Sequence, residues 1–93
     1  MIGKFENVPT EDDTKVEFRS EAKFGDYEVL YEKWTWEGVT AESIIFDSND
    51  VAELSDDEIM ENVKSSPLVE SSSDVTIKRS DTGYTFVNFN FKT

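Results

Sequence analysis

The chain contains no cysteine and no histidine. Without cysteine there is no disulfide staple and no thiolate nucleophile, which fits a reducing compartment. Without histidine the usual acid/base group near neutral pH and the usual nitrogen ligand for zinc are both missing. The only glycines are Gly3, Gly25, Gly38 and Gly83, too dispersed for a glycine-rich phosphate loop. Positive charge is scarce as well: 9 basic residues stand against 21 acidic ones, for a net charge of −12. That balance argues against nucleic acid and anionic membranes as direct ligands. No apolar run reaches the length needed to cross a bilayer, and the opening MIGKFENVPTEDD has neither a basic start nor an apolar stretch. The expectation is a soluble cytoplasmic protein with no metal and no cofactor.

What is present suffices for one domain spanning residues 1–93. Hydrophobic residues make up only 37%, but 13% of the chain is aromatic, and a few large rings bury much area from few positions. One segment marks a helix at both ends: residues 54–67, LSDDEIMENVKSSP. Ser55 is a favoured N-cap, Glu58 completes a capping box, and Leu54 with Ile59 forms a hydrophobic staple. Pro67 stops the helix. Ile59, Met60 and Val63 share one side, with Asp57, Glu58 and Glu61 roughly opposite. A helix this short is marginal alone, so it must lie on a sheet.

The strands follow from alternation and turn chemistry. Residues 2–8 could form a short first strand, and 10–14 read as a loop. Residues 15–23 alternate, with Val16, Phe18 and Ser20 on one face, as in a half-buried strand. Gly25-Asp26 is a turn signal. In YEVLYEKWTW, residues 27–36, the apolar phase moves from Tyr27, Val29 and Tyr31 to Trp34 and Trp36. A bulge near Glu32 and Lys33 would re-aim the side chains; alternatively both sheet faces are partly covered, or the indoles face a partner. Glu37-Gly38 turns the chain into a strand over 39–46. Residues 47–53 lead into the helix, and 68–73 with three serines form a connection. The stretches 74–79 and 83–92 alternate around a tight turn at Ser80-Asp81-Thr82-Gly83. The resulting expectation is an α+β domain, an antiparallel sheet of four to six strands with one helix packed on a face, in the order β-β-β-β-α-β-β.

Three patterns invite a functional reading. Asp47, Asp50, Glu53, Asp56, Asp57, Glu58 and Glu61 place seven carboxylates within 15 residues, with no base among them. Carboxylates one helical turn apart lie about 5 to 6 Å from each other, of the order of neighbouring phosphates on a nucleic-acid strand. Acids in a first helical turn also complement the helix dipole, which accounts for Asp56, Asp57 and Glu58 but not for the others. Secondly, Asp47, Asn49 and Glu58 match three positions of a calcium-binding loop, but Ala52 stands where that loop needs glycine. Thirdly, Asp81-Thr82-Gly83 has the residues of the aspartic-protease triplet, yet it sits at a polar turn, which explains it better. Trp34 and Trp36 are either core or, as tryptophan often is, interface anchors. The phase change implies that one of them is at least partly exposed.

In size, charge, lack of cysteine and its acidic belt, the chain resembles the small DNA-mimic proteins of bacteriophages, such as anti-restriction and anti-CRISPR inhibitors. The resemblance implies an inhibitor that occludes the basic, nucleic-acid-binding groove of a host enzyme or effector. The resemblance carries over no site residue; the acidic belt and the indoles themselves give the candidate contacts, Asp47, Asp50, Glu53, Asp57, Glu58, Glu61, Trp34 and Trp36. An immunity protein that neutralises a basic nuclease toxin uses the same electrostatics. A third reading is an acidic structural domain that oligomerises through exposed rings, with a homodimer as its simplest form. Enzymatic activity is not expected, since no nucleophile, base or metal cluster stands out.

Overall fold

The computed structural model describes residues 14–67, 69 and 74–92. Its elements are β1 (Lys15–Phe24), β2 (Tyr27–Trp36), β3 (Val39–Asp47), α1 (Asp56–Lys64), β4 (Thr76–Arg79) and β5 (Tyr84–Lys92). They form one five-stranded sheet in the order β1-β2-β3-β5-β4, antiparallel throughout. An α+β sheet with one helix is therefore observed. Among the described residues three strands precede the helix where four were expected, and the anticipated first strand over 2–8 lies outside those residues. So does the serine-rich connection, apart from Val69.

The turns fix the register. Gly25 has φ +62, and it joins Phe24 to Tyr27 through a two-residue loop. Glu37 and Gly38 both have positive φ, 48 and 81, as a type I′ turn requires, and this turn closes on the pair Trp36–Val39. At the β4–β5 turn the Ser80 amide donates to the Tyr84 carbonyl at 2.9 Å, the Gly83 amide donates to Ser80, and Gly83 takes φ +94.

From these registers each residue's face follows, because directly paired residues share a face. Val29 pairs with Phe46 and Tyr31 with Ile44, while Ile44 in turn pairs with Val87. These side chains form the face on which α1 lies, joined by Ile59 and Val63 of the helix and Val51 of the preceding loop in one buried cluster. On the opposite face Leu30 pairs with Ile45, and Ile45 with Phe86. Leu30 and Ile45 are fully buried and pack with Tyr84 and Phe86.

The bulge lies elsewhere than the sequence suggests. Strand β2 pairs with β3 without interruption, and the irregularity falls in β1 between Val16 and Phe18. The phase change in β2 therefore reflects two partly covered faces. Odd residues turn toward the helix; Leu30, Glu32, Trp34 and Trp36 turn away. The bulge also separates Val16, opposite Trp34, from Phe18, opposite Lys33, so these two residues do not share the predicted face. Phe18 is 53% exposed.

The helix starts as its sequence dictates. The Ser55 side chain accepts from the Glu58 amide, and the Glu58 carboxylate accepts from the Ser55 amide, both at 3.2 Å. Leu54 packs on the same cluster as Ile59. A long-range clamp ties this end to the sheet. Arg79 of β4 donates to the carbonyls of Val51 (3.2 Å) and Leu54 (2.7 Å) and to Asp56 Oδ1 (2.9 Å). The carbonyl bonds cap backbone that no regular element satisfies, whereas the pair with Asp56 is exposed to solvent and contributes little. Arg79→Ala is expected to lower unfolding free energy by about 2 kcal/mol, and Asp56→Asn by roughly a quarter of that, in urea denaturation. Equal losses would mean that the ion pair carries the clamp.

Candidate interaction surfaces

The acidic belt begins at the end of β3 and runs through the connecting loop into α1. Its members divide by what they do internally. Asp47 Oδ1 accepts from the Asn49 amide at 2.9 Å, Asp56 pairs with Arg79, and Glu58 closes the capping box. Asp50 is half-buried within a turn whose amide reaches back to Asp47. Glu53, Asp57 and Glu61 are exposed, and among the described residues they make no side-chain hydrogen bond or ion pair. Asp57 and Glu61 are one turn apart on the outer side of α1, a separation of about 5 to 6 Å between their Cβ atoms. Among the described residues no group of three or more acids is arranged to hold a metal ion. Glu58, the would-be bidentate calcium ligand, turns back to Ser55 instead.

The two tryptophans lie apart from this belt. Trp36 pairs with Val39 at the start of β3, whereas the belt starts at Asp47 at its far end. Eight residue steps of strand separate them, about 26 Å. The predicted contact residues thus fall on two ends of the sheet, and they do not form one continuous surface. Trp36 is 39% exposed. Trp34 is half-buried and donates from Nε1 to Ser43 Oγ at 2.7 Å, and Ser43 in turn donates to Asn88. Phe91 meets Trp34 edge to face, with ring centroids 6.4 Å apart, and is itself 38% exposed.

Strict alternation along β5 would put Phe91 on the same face as Phe89. A bulge in β5 moves it: Glu42 pairs with Phe89, but Thr40 pairs with Lys92, so β5 spends an extra residue there. Asn90 takes φ +54, a conformation that asparagine tolerates better than most side chains. The same bulge completes a polar cluster that periodicity alone does not reveal. Tyr31 donates to Glu42 Oε1, and Asn90 Nδ2 donates to Glu42 Oε2 at 2.7 Å. Asn90, set between Phe89 and Phe91, is the one local sign of it. On the other face Arg19 Nε donates to Glu32 at 2.7 Å, so the carboxylate on the tryptophan side of β2 is buried but compensated.

A groove of 620 Å³ opens between the β1–β2 turn and the helix, lined in part by Phe24, Tyr27, Phe46, Leu54, Ile59 and Pro67. Its walls are largely apolar. The Asp81-Thr82-Gly83 triplet forms the β4–β5 turn, where the Thr82 amide donates to Ser80 Oγ at 3.2 Å. Among the described residues no helix is long and apolar enough to cross a membrane. Comparison with protein-family models, curated proteins and solved structures finds no match to this chain.

Two measurements check these environments. Burial first, then the hydrogen bond to Glu42 and its charge, push the Tyr31 phenol up to about 12 from its ordinary 10.0. The folded pKa exceeds the unfolded one, so this contribution to stability is complete below pH 10 and is lost as pH rises from about 10 toward about 12. Tyrosinate absorbance is expected to show a late phase near pH 12 that Tyr31→Phe removes; persistence of that phase in the variant would assign it to another residue. For the indoles, Trp36→Phe is expected to abolish most acrylamide-quenchable fluorescence while Trp34→Phe preserves it. The reverse pattern would place Trp34 at the surface.

Proposed function

We propose that this chain is a protein-binding inhibitor whose acidic belt enters a basic, nucleic-acid-binding groove and competes there with the phosphate backbone. The observation that supports this reading is the division within the belt. Asp47, Asp56 and Glu58 are occupied in turn, clamp and cap, whereas Glu53, Asp57 and Glu61 are exposed with no internal partner among the described residues. Like charge held close together without compensation weakens a fold; the helix N-terminus favours Asp57, but Glu53 and Glu61 cost stability that a cationic partner offsets. The belt acts by occlusion. Each lysine or arginine it engages is withdrawn from nucleic acid, and long-range attraction speeds the encounter.

Immobilised chain, exposed to cell lysate at low salt, is expected to retain a nucleic-acid-binding protein that duplex DNA displaces. Affinity for that protein should fall at least about tenfold between roughly 50 and 200 mM salt. Glu53→Lys with Glu61→Lys should weaken it about as much while leaving the melting temperature equal or higher. Binding that ignores both salt and DNA, or a double variant that no longer folds, would sink the proposal.

A further inference from the structure

The groove between the β1–β2 turn and α1 encloses 620 Å³, a size typical of sites that receive a ligand group. Three rings line it. Phe24 and Tyr27 each meet Phe46 edge to face, with centroids 5.8 and 5.9 Å apart; Phe46 is buried, whereas Phe24 and Tyr27 are half-buried and retain exposed surface. The hairpin explains their place. Phe24 pairs with Tyr27 across the two-residue turn, so both rings turn together to the helix side, and Leu54 and Pro67 extend the apolar lining from the other wall.

The rim carries one sign of charge. Asp26, at the tip of the turn, is exposed and belongs to the lining. On the helix side Asn62 lines the groove, and the exposed Glu58 stands one turn before it on the same side of α1, with only its Oε1 taken by the Ser55 amide among the bonds described. Lys23 is the one base among the described lining residues. It pairs with Glu28, and alternation sends this pair to the opposite face of the sheet from Phe24 and Tyr27.

Apolar, ring-bearing walls below a carboxylate rim suit neither an anion nor a wholly apolar group. They match a long cationic side chain, whose methylenes lie on apolar surface while its charged head reaches carboxylates and ring faces. The belt supplies the route, because Glu53 directly precedes Leu54 and brings cationic protein to the mouth of the groove. We propose that the groove receives a lysine or arginine side chain from a cationic segment of a protein partner, its stem along Leu54 and Pro67 and its head between Asp26 and Tyr27. This inference rests on the reading of the belt as a surface for a cationic protein. It adds selection to attraction: the belt draws any cation, whereas the groove favours one with a long stem.

Titration of the full chain with oligolysine, followed through its backbone amide spectrum, is expected to shift Gly25, Asp26, Leu54 and Asn62 together. Oligomers of diaminobutyrate carry the same ammonium on a shorter stem and should bind about fivefold or more weakly. Acetylated oligolysine keeps the stem without the charge and should leave these amides unmoved. Asp26→Lys reverses the rim and Asn62→Phe fills the groove; both positions are exposed, so each variant should keep its melting temperature while losing about fivefold or more in affinity for oligolysine. Equal binding of long- and short-stemmed oligomers overturns the proposal, as do shifts confined to Glu53, Asp57 and Glu61. Either result leaves the belt reading standing, since that is tested separately by the salt-sensitive retention that Glu53→Lys with Glu61→Lys removes.

Discussion

The pairing register of β2 is the constraint on which the rest of the molecule depends. It is set by two tight turns, Gly25-Asp26 and Glu37-Gly38, with the second requiring positive φ at both central positions. A slip of one residue would exchange the two faces of the strand. Val29 and Tyr31 would leave the helix side, and Leu30, Glu32 and Trp34 would be driven beneath α1. In the native register Glu32 meets Arg19 and Trp34 meets Ser43, so each of these two groups has a partner supplied by a neighbouring strand. A buried carboxylate without such a partner carries a penalty of several kcal/mol in other proteins, which is why the register and the Arg19–Glu32 pair stand or fall together.

Both arginines serve as structural ties, one across the sheet and one to the loop before the helix. Arginine suits these positions because its planar fork offers several donors in fixed directions. Arg79 uses that geometry to bond two carbonyls and a carboxylate at once, which a lysine ammonium on a flexible stem cannot reproduce with the same order. Val51, whose carbonyl it caps, is fully buried, so the clamp also holds a core residue in place. The irregular loop between β3 and α1 thereby becomes part of the framework on which the acidic belt is displayed.

Local chemistry was legible in the sequence and distant pairing was not. The helix could be read because Ser55 and Glu58 satisfy each other within one turn, and the three hairpins because glycine marks their turns. Strand positions followed from alternation. The bulge in β1 could not be read, since it is defined only by what faces Val16 and Phe18 across the ladder. The same holds for the bulge at Asn90, which turns Phe91 toward Trp34. Arg79 gave no local signal either: its partners lie 23, 25 and 28 residues away. The grouping of the belt with the tryptophans failed for a related reason. Ten residues lie between Trp36 and Asp47 in the chain, but most of that segment is extended strand, so proximity in sequence became distance in space.

The distribution of charge gives these features a common logic. The five strands together hold seven basic residues and six acidic ones, close to balance. Among the described residues the turns, loops and helix hold ten acids and a single base, Lys64. Side chains on adjacent strands stand about 5 Å apart, where like charges oppose pairing directly. At turns and on the outer side of a helix, water and salt screen the same charges far more effectively. Among the described residues the chain therefore carries its excess negative charge where it disturbs the sheet least. Screening by salt should consequently relieve strain chiefly in the helix and loops, and leave the balanced sheet nearly unchanged.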